Sequence, residues 1–281
     1  MSITTLLWPY ENGEKRGLPK FFNSIGRKIS KIRAKWDRSY LLPKPEEAKA
    51  EEARMAKIAL DYFNLDENRE LLAIPGKSIS GGVPLTEYYL LHRYLRRHKP
   101  EHVLELGSGV TSIFMSHALW LNQQEDPSYD GHIQSMESIE KPLKNTQSIL
   151  PEKQRQFITF HLSPVVADRW RGDVPTHSYR DTPYRPYSFI FVDGPLAKVY
   201  PTGDHLKCVE TVKGPIDILA DARYRSMEVL DRFIRRGHVF ADHIHELGFA
   251  KGITYNMIQD RPRMSMPLKH RNVFEAFDLS V

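Results

Sequence analysis

The residues best suited to binding a ligand form a short turn after an apolar run. In residues 102–111, HVLELGSGVT, the run contains Glu105 and opens into Gly107, Ser108 and Gly109 just before a helical stretch. A turn this tight needs glycine, because it must reach backbone angles that a Cβ forbids and must let a ligand touch the main chain. We therefore predict that these residues bind a nucleotide-like ligand.

Acidic residues also follow two other apolar runs. Glu137 and Ser138 come after residues 132–136, and an acid at this position suits a bidentate hydrogen bond to two ribose hydroxyls. Asp193 comes after residues 187–192 and enters a Gly-Pro turn. If these runs are parallel strands, the acidic side chains lie at one edge of the sheet, where such folds bind their ligands.

Two later segments add groups that could act on a substrate. Asp221 follows the run 216–220, and the two arginines after it suit a carboxylate or phosphate of a substrate, or else pair with the nearby aspartates. His243 follows the run 238–242, where a histidine could act as a general base toward a hydroxyl. The predicted catalytic residues are Asp193, Asp221 and His243, and the predicted substrate-binding residues are Arg223 and Arg225.

The elements that must position these residues show an alternating pattern. From Glu101 onward, apolar runs of strand length alternate with helical stretches, which predicts an α/β fold with a Rossmann-like, doubly wound, mostly parallel sheet of about seven strands. Six strands can be placed, at 102–106, 132–136, 157–162, 187–192, 216–220 and 238–242. Helices are predicted at 86–98 and at about 111–122, 140–149, 203–212 and 223–236.

The N-terminal part has a different character. Residues 1–75 are predicted to form a helical extension, and residues 76–281 the main domain. Apolar residues three and four apart indicate a basic amphipathic helix over about 20–38 and a second helix over about 46–64. The basic helix could dock on the protein's own core, lie on an anionic membrane surface, or contact a partner.

Composition narrows the setting of the protein. The chain has 281 residues, a formal net charge of +5 and one cysteine, Cys208, which excludes an intramolecular disulfide and fits a reducing cytoplasm. Nine Lys or Arg residues against one acid fall between Lys15 and Arg38, so the surplus charge belongs to this segment. No run of 18 apolar residues is present, so we predict no membrane span. We expect a cytoplasmic protein, with peripheral membrane contact through the basic helix as the alternative.

Two of these motifs resemble a known family. Residues 105–112, ELGSGVTS, resemble the first motif of class I S-adenosylmethionine-dependent methyltransferases, and Asp193 with its Gly-Pro turn looks like the fourth-strand motif of the small-molecule type. The resemblance spans roughly residues 80–245. It implies S-adenosylmethionine as cofactor, with the methionine part at Glu105, Gly107, Ser108 and Gly109, the ribose at Glu137 and Ser138, and Asp193 facing cofactor and substrate.

The same resemblance implies methyl transfer to a small-molecule acceptor. We expect a hydroxyl of a small polar or sugar-like metabolite in preference to an amine. Catechol-type members bind Mg²⁺ through an aspartate on the fourth strand and an Asp-Asn pair on the fifth, whereas Asp221 is followed here by Ala222. A divalent metal is therefore not favoured, and no metal ligands are assigned. A second departure is Ser163 with Pro164, which stand where the family often places an acid or polar group against the adenine amine.

Two other classes of protein fit parts of the pattern. A Rossmann-like nucleotide-binding module or a nucleotide-sugar oxidoreductase would share the fold, but Ser112 occupies the place of the third glycine of the dinucleotide motif. A nucleic-acid methyltransferase would use the basic N-terminal segment, but the sequence has no Asn/Asp-Pro-Pro-aromatic tetrapeptide. Nucleic acid is therefore not the expected partner.

Overall fold

The computed structural model describes residues 10–11, 14–15, 44–79, 83–171, 174–195, 200–263 and 267–279. The chain divides into two compact units, residues 1–43 and 44–281. In the first unit, Tyr10–Glu11 pairs antiparallel with Glu14–Lys15. The predicted basic helix over about 20–38 lies outside the described residues. Within the described ranges, no helix is long and apolar enough to cross a membrane.

The second unit is built on an eight-stranded sheet. Numbered within this unit, its strands are β1 His102–Leu106, β2 His132–Glu137, β3 Ile158–Leu162, β6 Phe189–Val192, β7 Ile216–Asp221, β8 Val239–Asp242, β9 Leu247–Ile253 and β10 Lys269–His270, while β4 Val165–Trp170 and β5 Val174–Tyr179 form a separate ribbon. The sheet order is β3-β2-β1-β6-β7-β9-β8-β10, and β9 is the one described strand that runs antiparallel to its neighbours in this sheet. The predicted Rossmann-like, mostly parallel sheet is confirmed.

The sheet differs from the prediction at one edge, where β9 and β10 raise the strand number from about seven to eight. β9 has the sequence LGFAKGI, whose two glycines are typical of turns rather than strands. It is held by its neighbours, because it pairs with β7 on one side and β8 on the other. One of the glycines also makes room for a helix, since a Cβ on Gly248 would lie 2.7 Å from Met227 Cγ.

Helices cover both faces of this sheet and begin and end within a few residues of the predicted positions. They are α1 Pro45–Phe63, α2 Leu85–His98, α3 Val110–Glu125, α4 Glu140–Ile149, α5 Asp204–Thr211, α6 Tyr224–Phe233 and the unpredicted α7 Val273–Ala276. Successive residues of a strand point to opposite faces of the sheet. Val103 packs with the side chains of α1 to α3, whereas Leu104 packs with those of α5 and α6. The sheet is therefore doubly wound.

Helix α1 belongs to the same unit as the sheet. Its residues Met55, Ala59 and Phe63 recur every four positions, are fully buried, and join the core cluster of α2 and α3. The sequence places this helix in the N-terminal extension and predicts that it packs on the main domain, and the helix lies in the unit that begins at residue 44.

The segment between β3 and β6 is not the long loop over 164–186 that its lack of a recognisable motif suggests. Strands β4 and β5 pair antiparallel over their full length. Alternate residues of β5, including Val174, Thr176 and Ser178, are buried, which is the period-two pattern of a half-buried strand. Pro175 conceals this pattern in the sequence, because proline lacks the amide that a strand residue usually donates.

The order of the strands places a crevice beside β1. From β1 the chain moves outward to β2 and β3, and it then returns to β6 on the other side of β1. The connections on the two sides of β1 therefore run in opposite directions. In doubly wound sheets the crevice at the carboxyl ends of such strands is the place where ligands bind.

Candidate active site

The turns that follow β1 and β6 pack backbone against backbone. Gly107 has φ +99°, and a Cβ on it would lie 2.7 Å from the amide nitrogen of Gly194. The amide of Asp193 donates to the carbonyl oxygen of Leu106 at 2.9 Å and continues the sheet into the turn. Glycine is thus required at position 107 for its backbone angle and also for the approach of the neighbouring turn.

Glu105 is hydrogen-bonded to side chains around the glycine turn. Its side chain is fully buried and accepts hydrogen bonds from the hydroxyls of Thr111 at 2.6 Å, Ser112 at 2.5 Å and Ser135 at 2.5 Å. The Ser112 hydroxyl in turn accepts from the amide of Gly109 at 3.1 Å. Burial raises the pKa of Glu105 to about 7, even though the three hydrogen bonds favour the carboxylate. Both of its oxygens are engaged inside the protein, and its direct contact with a cofactor stays a prediction.

Glu137 is the acid that faces the crevice at the end of β2. Its Oε1 accepts from the amides of Ser138 at 2.7 Å and Ile139 at 2.9 Å, which fix the carboxylate in place. Its Oε2 accepts from the hydroxyl of Ser108 at 3.3 Å, and this bond joins the two predicted cofactor segments. Because that bond is long, Oε2 keeps capacity to accept from a ligand hydroxyl.

Asp193 and Asp221 meet across the ends of β6 and β7. Their carboxyl groups are hydrogen-bonded to each other. Burial and the charge of Asp221 raise the pKa of Asp193 to about 6, and burial also raises the pKa of Asp221 against the opposing charge of Arg223. Asp193 therefore takes up a proton more readily than an exposed aspartate does.

Of the two predicted arginines, the structure brings one to this pair. Arg223 Nη2 donates to the carbonyl oxygen of Asp193 and lies 3.8 Å from its Oδ1. This is the aspartate pairing that the sequence left open as an alternative to substrate binding. Arg225 is exposed in the first turn of α6, which begins directly after Arg223.

Sequence reasoning missed a third acid at this point, Glu87 in the first turn of α2. Glu87 is 4% exposed, and its Oε1 is buried without a hydrogen-bond partner among the described residues. Burial and the charges of Asp221 and Asp193 raise its pKa well above the usual range of a glutamate. The signal was present in the sequence, because Glu87 occupies the apolar stripe that continues through Leu90, Leu91 and Tyr94.

The structure does not bring His243 together with Asp193 and Asp221. Strand β9 lies between β8, which His243 follows, and β7, so two strand spacings of about 4.8 Å separate the strand ends. The His243 amide donates to His270 Nδ1 at 3.2 Å, and its ring lies 5.7 Å from that of Tyr224. Its catalytic role stays a prediction, at a place on the sheet edge that is remote from the aspartates.

Asp242, beside His243, has a structural role. It is fully buried and accepts from His245 Nδ1 at 2.9 Å and from the amide of Val273 at 2.9 Å. Burial acts to raise the pKa of Asp242, but the hydrogen bonds and charge of His245 outweigh it and lower the pKa. This carboxylate therefore ties β8 to α7.

The ribbon supplies two residues that the sequence does not place near the crevice. Tyr179 ends β5, and a Cβ on Gly194 would lie 2.8 Å from its hydroxyl oxygen. Asp181 follows, and its amide donates to the Ser163 hydroxyl at 3.0 Å while that hydroxyl donates back to Asp181 Oδ2 at 3.2 Å. An acid thus does lie at the end of the third strand, although it comes from a segment 18 residues further along the chain.

Among the described residues, no three His, Cys, Asp or Glu side chains are grouped so that they could hold a metal ion. The predicted site residues that the structure does unite are those of the two turns, Glu137 with Ser138, and Asp193 with Asp221 and Arg223. They lie along the carboxyl ends of β2, β1, β6 and β7, which are adjacent in the sheet.

The similarity of this chain to known proteins is weak. No protein-family model and no curated protein matches the sequence. Among solved structures, the chain is similar to the plantazolicin methyltransferase BpumL in complex with SAH, with a TM-score of 0.31, 12% identity, and coverage of 62% of this chain and 60% of that one. It is also similar to NSun6 from Pyrococcus horikoshii with SFG, with a TM-score of 0.32, 8% identity, and coverage of 59% and 51%.

The chain thus spans less than two thirds of the length of either structure. TM-scores of this size are too low to establish a shared fold. The class of protein is defined instead by the chain's own strand order and by the crevice beside β1, which are those of a Rossmann-like doubly wound α/β protein.

Proposed function

We propose that this protein transfers the methyl group of S-adenosylmethionine to a small polar acceptor. The observation that supports this most is the pairing of the glycine turn with Glu137. The turn exposes main chain at the end of β1. A rigidly held carboxylate, with an oxygen that can accept a second hydrogen bond, lies at the end of the neighbouring β2. That arrangement suits a nucleoside with a ribose diol and a charged or polar tail.

In this proposal each part of the cofactor has its own residues. The methionine part lies over Gly107 to Gly109, the ribose hydroxyls donate to Glu137, and the base extends toward Ser163 and Asp181 at the end of β3. The sulfonium then lies near the turn of Asp193, because Gly107 and Gly194 are in contact. S-adenosylmethionine supplies an already activated methyl group.

The protein's own residues then have two tasks. They must hold the acceptor in line with the methyl carbon and the sulfur, and they must take up the proton that the acceptor loses. The Asp193–Asp221 pair is suited to the second task, because a carboxylate whose pKa is raised to about 6 takes up a proton more readily than an ordinary aspartate does. The sequence favours a hydroxyl of a small polar or sugar-like molecule as acceptor, and the pair can take a proton from a hydroxyl or an amine.

The test is a calorimetric titration of S-adenosylmethionine and of S-adenosylhomocysteine into the wild-type protein and a Glu137→Gln variant. The glutamine side chain would keep an oxygen for the amides of Ser138 and Ile139 but would lose the charge that receives the ribose diol. We expect affinity to fall by roughly 10-fold to 100-fold, the range for hydrogen bonds to a charged group.

Glu140→Gln is the matched control. Glu140 lies three residues further on, pairs with Lys144 at 2.6 Å and is exposed, so its substitution should leave the affinity unchanged. Gly107 is a poorer test position, because any side chain there would collide with Gly194 and disturb the fold. A folded wild-type protein that binds neither ligand, or binds NAD instead, would refute the proposal and favour the nucleotide-binding alternative.

A further inference from the structure

Three carboxyl groups from three different elements act on one another electrostatically beside the glycine turn. We call Glu87 of α2, Asp193 after β6 and Asp221 of β7 the acid cluster. Asp193 and Asp221 are hydrogen-bonded to each other, and both are electrostatic neighbours of Glu87. The cluster lies next to the turn of Gly107, because Asp193 immediately precedes Gly194.

Glu87 gives this cluster a feature that a structural role does not explain. Its side chain is more than nine-tenths buried, yet Oε1 has no hydrogen-bond partner among the described residues. An unpaired buried polar atom destabilises a fold, and the great majority of buried polar atoms are paired. A partner supplied from outside the chain, in the form of a ligand that donates hydrogen bonds, would satisfy this oxygen.

The charges around the cluster indicate which kind of hydrogen-bond donor the ligand would carry. Among the described residues, the cation in contact with it is Arg223, which is already held by the carbonyl oxygen and the carboxylate of Asp193. The further charged groups that act on it are acids: Glu137 raises the pKa of Asp193, and the exposed Glu246 raises that of Asp221. Within the described part of the chain, the cluster therefore has more carboxyl groups than cations, and a cationic donor would stabilise their ionised forms.

We propose that the acid cluster is a subsite for the protonated amine of the methyl acceptor. This inference rests on the proposed function and names its substrate class: an acceptor with a primary or secondary amine, instead of the hydroxyl that the sequence favours. An ammonium group donates several hydrogen bonds and carries a positive charge that would balance the carboxylates. A hydroxyl offers one donor and no charge.

The transfer is balanced with these groups alone. The bound ammonium gives one proton to a carboxylate of the cluster and becomes a neutral amine with a lone pair. The lone pair forms a bond to the methyl carbon while the carbon–sulfur bond breaks, and the bonding electrons stay on sulfur, which becomes a neutral thioether. The methylated nitrogen leaves as an ammonium, and the proton on the carboxylate passes to solvent.

The inference can be tested without knowing the acceptor. Sinefungin is an analogue of the cofactor that carries a primary amine where S-adenosylmethionine has its sulfonium methyl, so its ammonium points to the acceptor's position. We would measure by calorimetry the affinities of sinefungin, S-adenosylmethionine and S-adenosylhomocysteine for the wild-type protein and for Glu87→Gln. We expect the wild-type protein to prefer sinefungin over S-adenosylhomocysteine by about 10-fold, and the variant to lose most of this preference.

The matched control is Glu246→Gln, which removes the same charge from an exposed position that also acts on Asp221. Because solvent screens an exposed charge, it should lower the preference much less than Glu87→Gln does. Asp221→Asn is a second variant within the cluster and should lower the preference as Glu87→Gln does. Unchanged binding of S-adenosylhomocysteine shows that each variant keeps a folded cofactor site.

The possible results are distinct. If S-adenosylhomocysteine binds but the sinefungin preference is absent, or survives Glu87→Gln, the amine subsite is refuted and the proposed methyl transfer stands. If the variant lowers the preferences for sinefungin and for S-adenosylmethionine equally, the cluster responds to the sulfonium charge, and the amine assignment is again refuted. If no ligand binds to a folded wild-type protein, both proposals fail together.

Discussion

At the scale of single residues, Glu105 and Glu137 are acids of two neighbouring strands with opposite tasks. Glu105 lies within β1 and turns its carboxyl group to three hydroxyls of the protein. Glu137 ends β2 and keeps one oxygen toward the crevice. The difference arises from position along the strand, because a residue one place before the last is covered by the helix that follows, whereas the last one reaches the open edge. We expect Glu105 to govern stability and Glu137 to govern ligand binding.

The buried position of Glu105 predicts a pH dependence of stability. Its pKa in the folded protein is raised from 4.5 to about 7, so the folded state holds the proton more tightly than the unfolded state. This raised pKa makes no difference below pH 4.5 and destabilises the fold increasingly as the pH rises toward 7. In Glu105→Gln that effect is absent, so relative to wild type the variant should gain roughly 2–3 kcal/mol between pH 5 and pH 8.

Urea unfolding of both proteins at the two pH values measures this. Glu105→Gln keeps a side-chain oxygen and can still meet the hydroxyls of Thr111, Ser112 and Ser135. A difference between variant and wild type that is the same at pH 5 and pH 8 would show that the carboxyl group does not hold its proton in the folded protein.

At the scale of elements, a buried chain of hydrogen bonds joins α1 to α2 and α3. The Tyr62 hydroxyl lies 2.8 Å from His92 Nδ1, and His92 Nε2 lies 3.0 Å from His117 Nδ1. His117 Nε2 lies 3.2 Å from Glu70 Oε1, in an ion-pair contact rather than a well-aligned hydrogen bond. The carboxylate fixes the direction of the chain: Nε2 of His117 carries a proton, so its Nδ1 accepts from His92, whose Nδ1 accepts from Tyr62.

This chain of hydrogen bonds predicts that low pH weakens the packing of α1. Burial lowers the pKa of His92 well below its usual range and lowers that of His117 to about 4, so both are neutral in the folded protein. Their contribution to stability is complete above pH 6.5 and is lost as the pH falls toward 4, because the unfolded chain then binds protons that the folded chain does not. For His117 alone the loss between pH 7.5 and pH 5 is roughly 2 kcal/mol.

The measurement is chemical denaturation of the wild type and of His117→Gln at these two pH values. The variant should be less stable at pH 7.5, by about 1–2 kcal/mol for the broken hydrogen bonds, but should lose less than wild type at pH 5. His238→Gln, outside this chain of hydrogen bonds, is the control. A variant that loses as much stability as wild type at pH 5 would refute the role assigned to His117.

At the scale of the whole molecule, the boundary between the two units has a testable consequence. The second unit begins at residue 44 and includes α1, whose Met55, Ala59 and Phe63 are fully buried in the core of α2 and α3. A protein that starts at residue 44 should therefore fold and bind S-adenosylhomocysteine as the full chain does. A protein that starts at residue 76 should lose several kcal/mol, because the partners of these side chains become exposed.

Thermal unfolding and calorimetric titration of the two shortened proteins distinguish these outcomes. Equal melting temperatures for the chains starting at residues 44 and 76 would show that α1 does not stabilise the second unit. Loss of folding in the chain starting at residue 44 would show instead that the first unit supports the second.

The sequence by itself determined the features that depend on local patterns. Short, mostly apolar runs between turn residues favour covered strands, and a Gly-Ser-Gly sequence before a helical stretch favours a tight turn. The class of fold and the turn of Gly107 therefore follow from residues close together in the chain. The acids at the ends of β2 and β6 follow for the same reason, because each continues directly from a recognisable strand.

Only the tertiary structure decided which distant segments meet. The antiparallel insertion of β9 separates His243 from Asp221, the ribbon carries Asp181 back to Ser163, and the packing of α2 brings Glu87 to the aspartates. Each of these depends on strand order or helix packing between residues far apart in sequence. The physical reason is that periodicity records which face of an element is buried, but not which other element buries it.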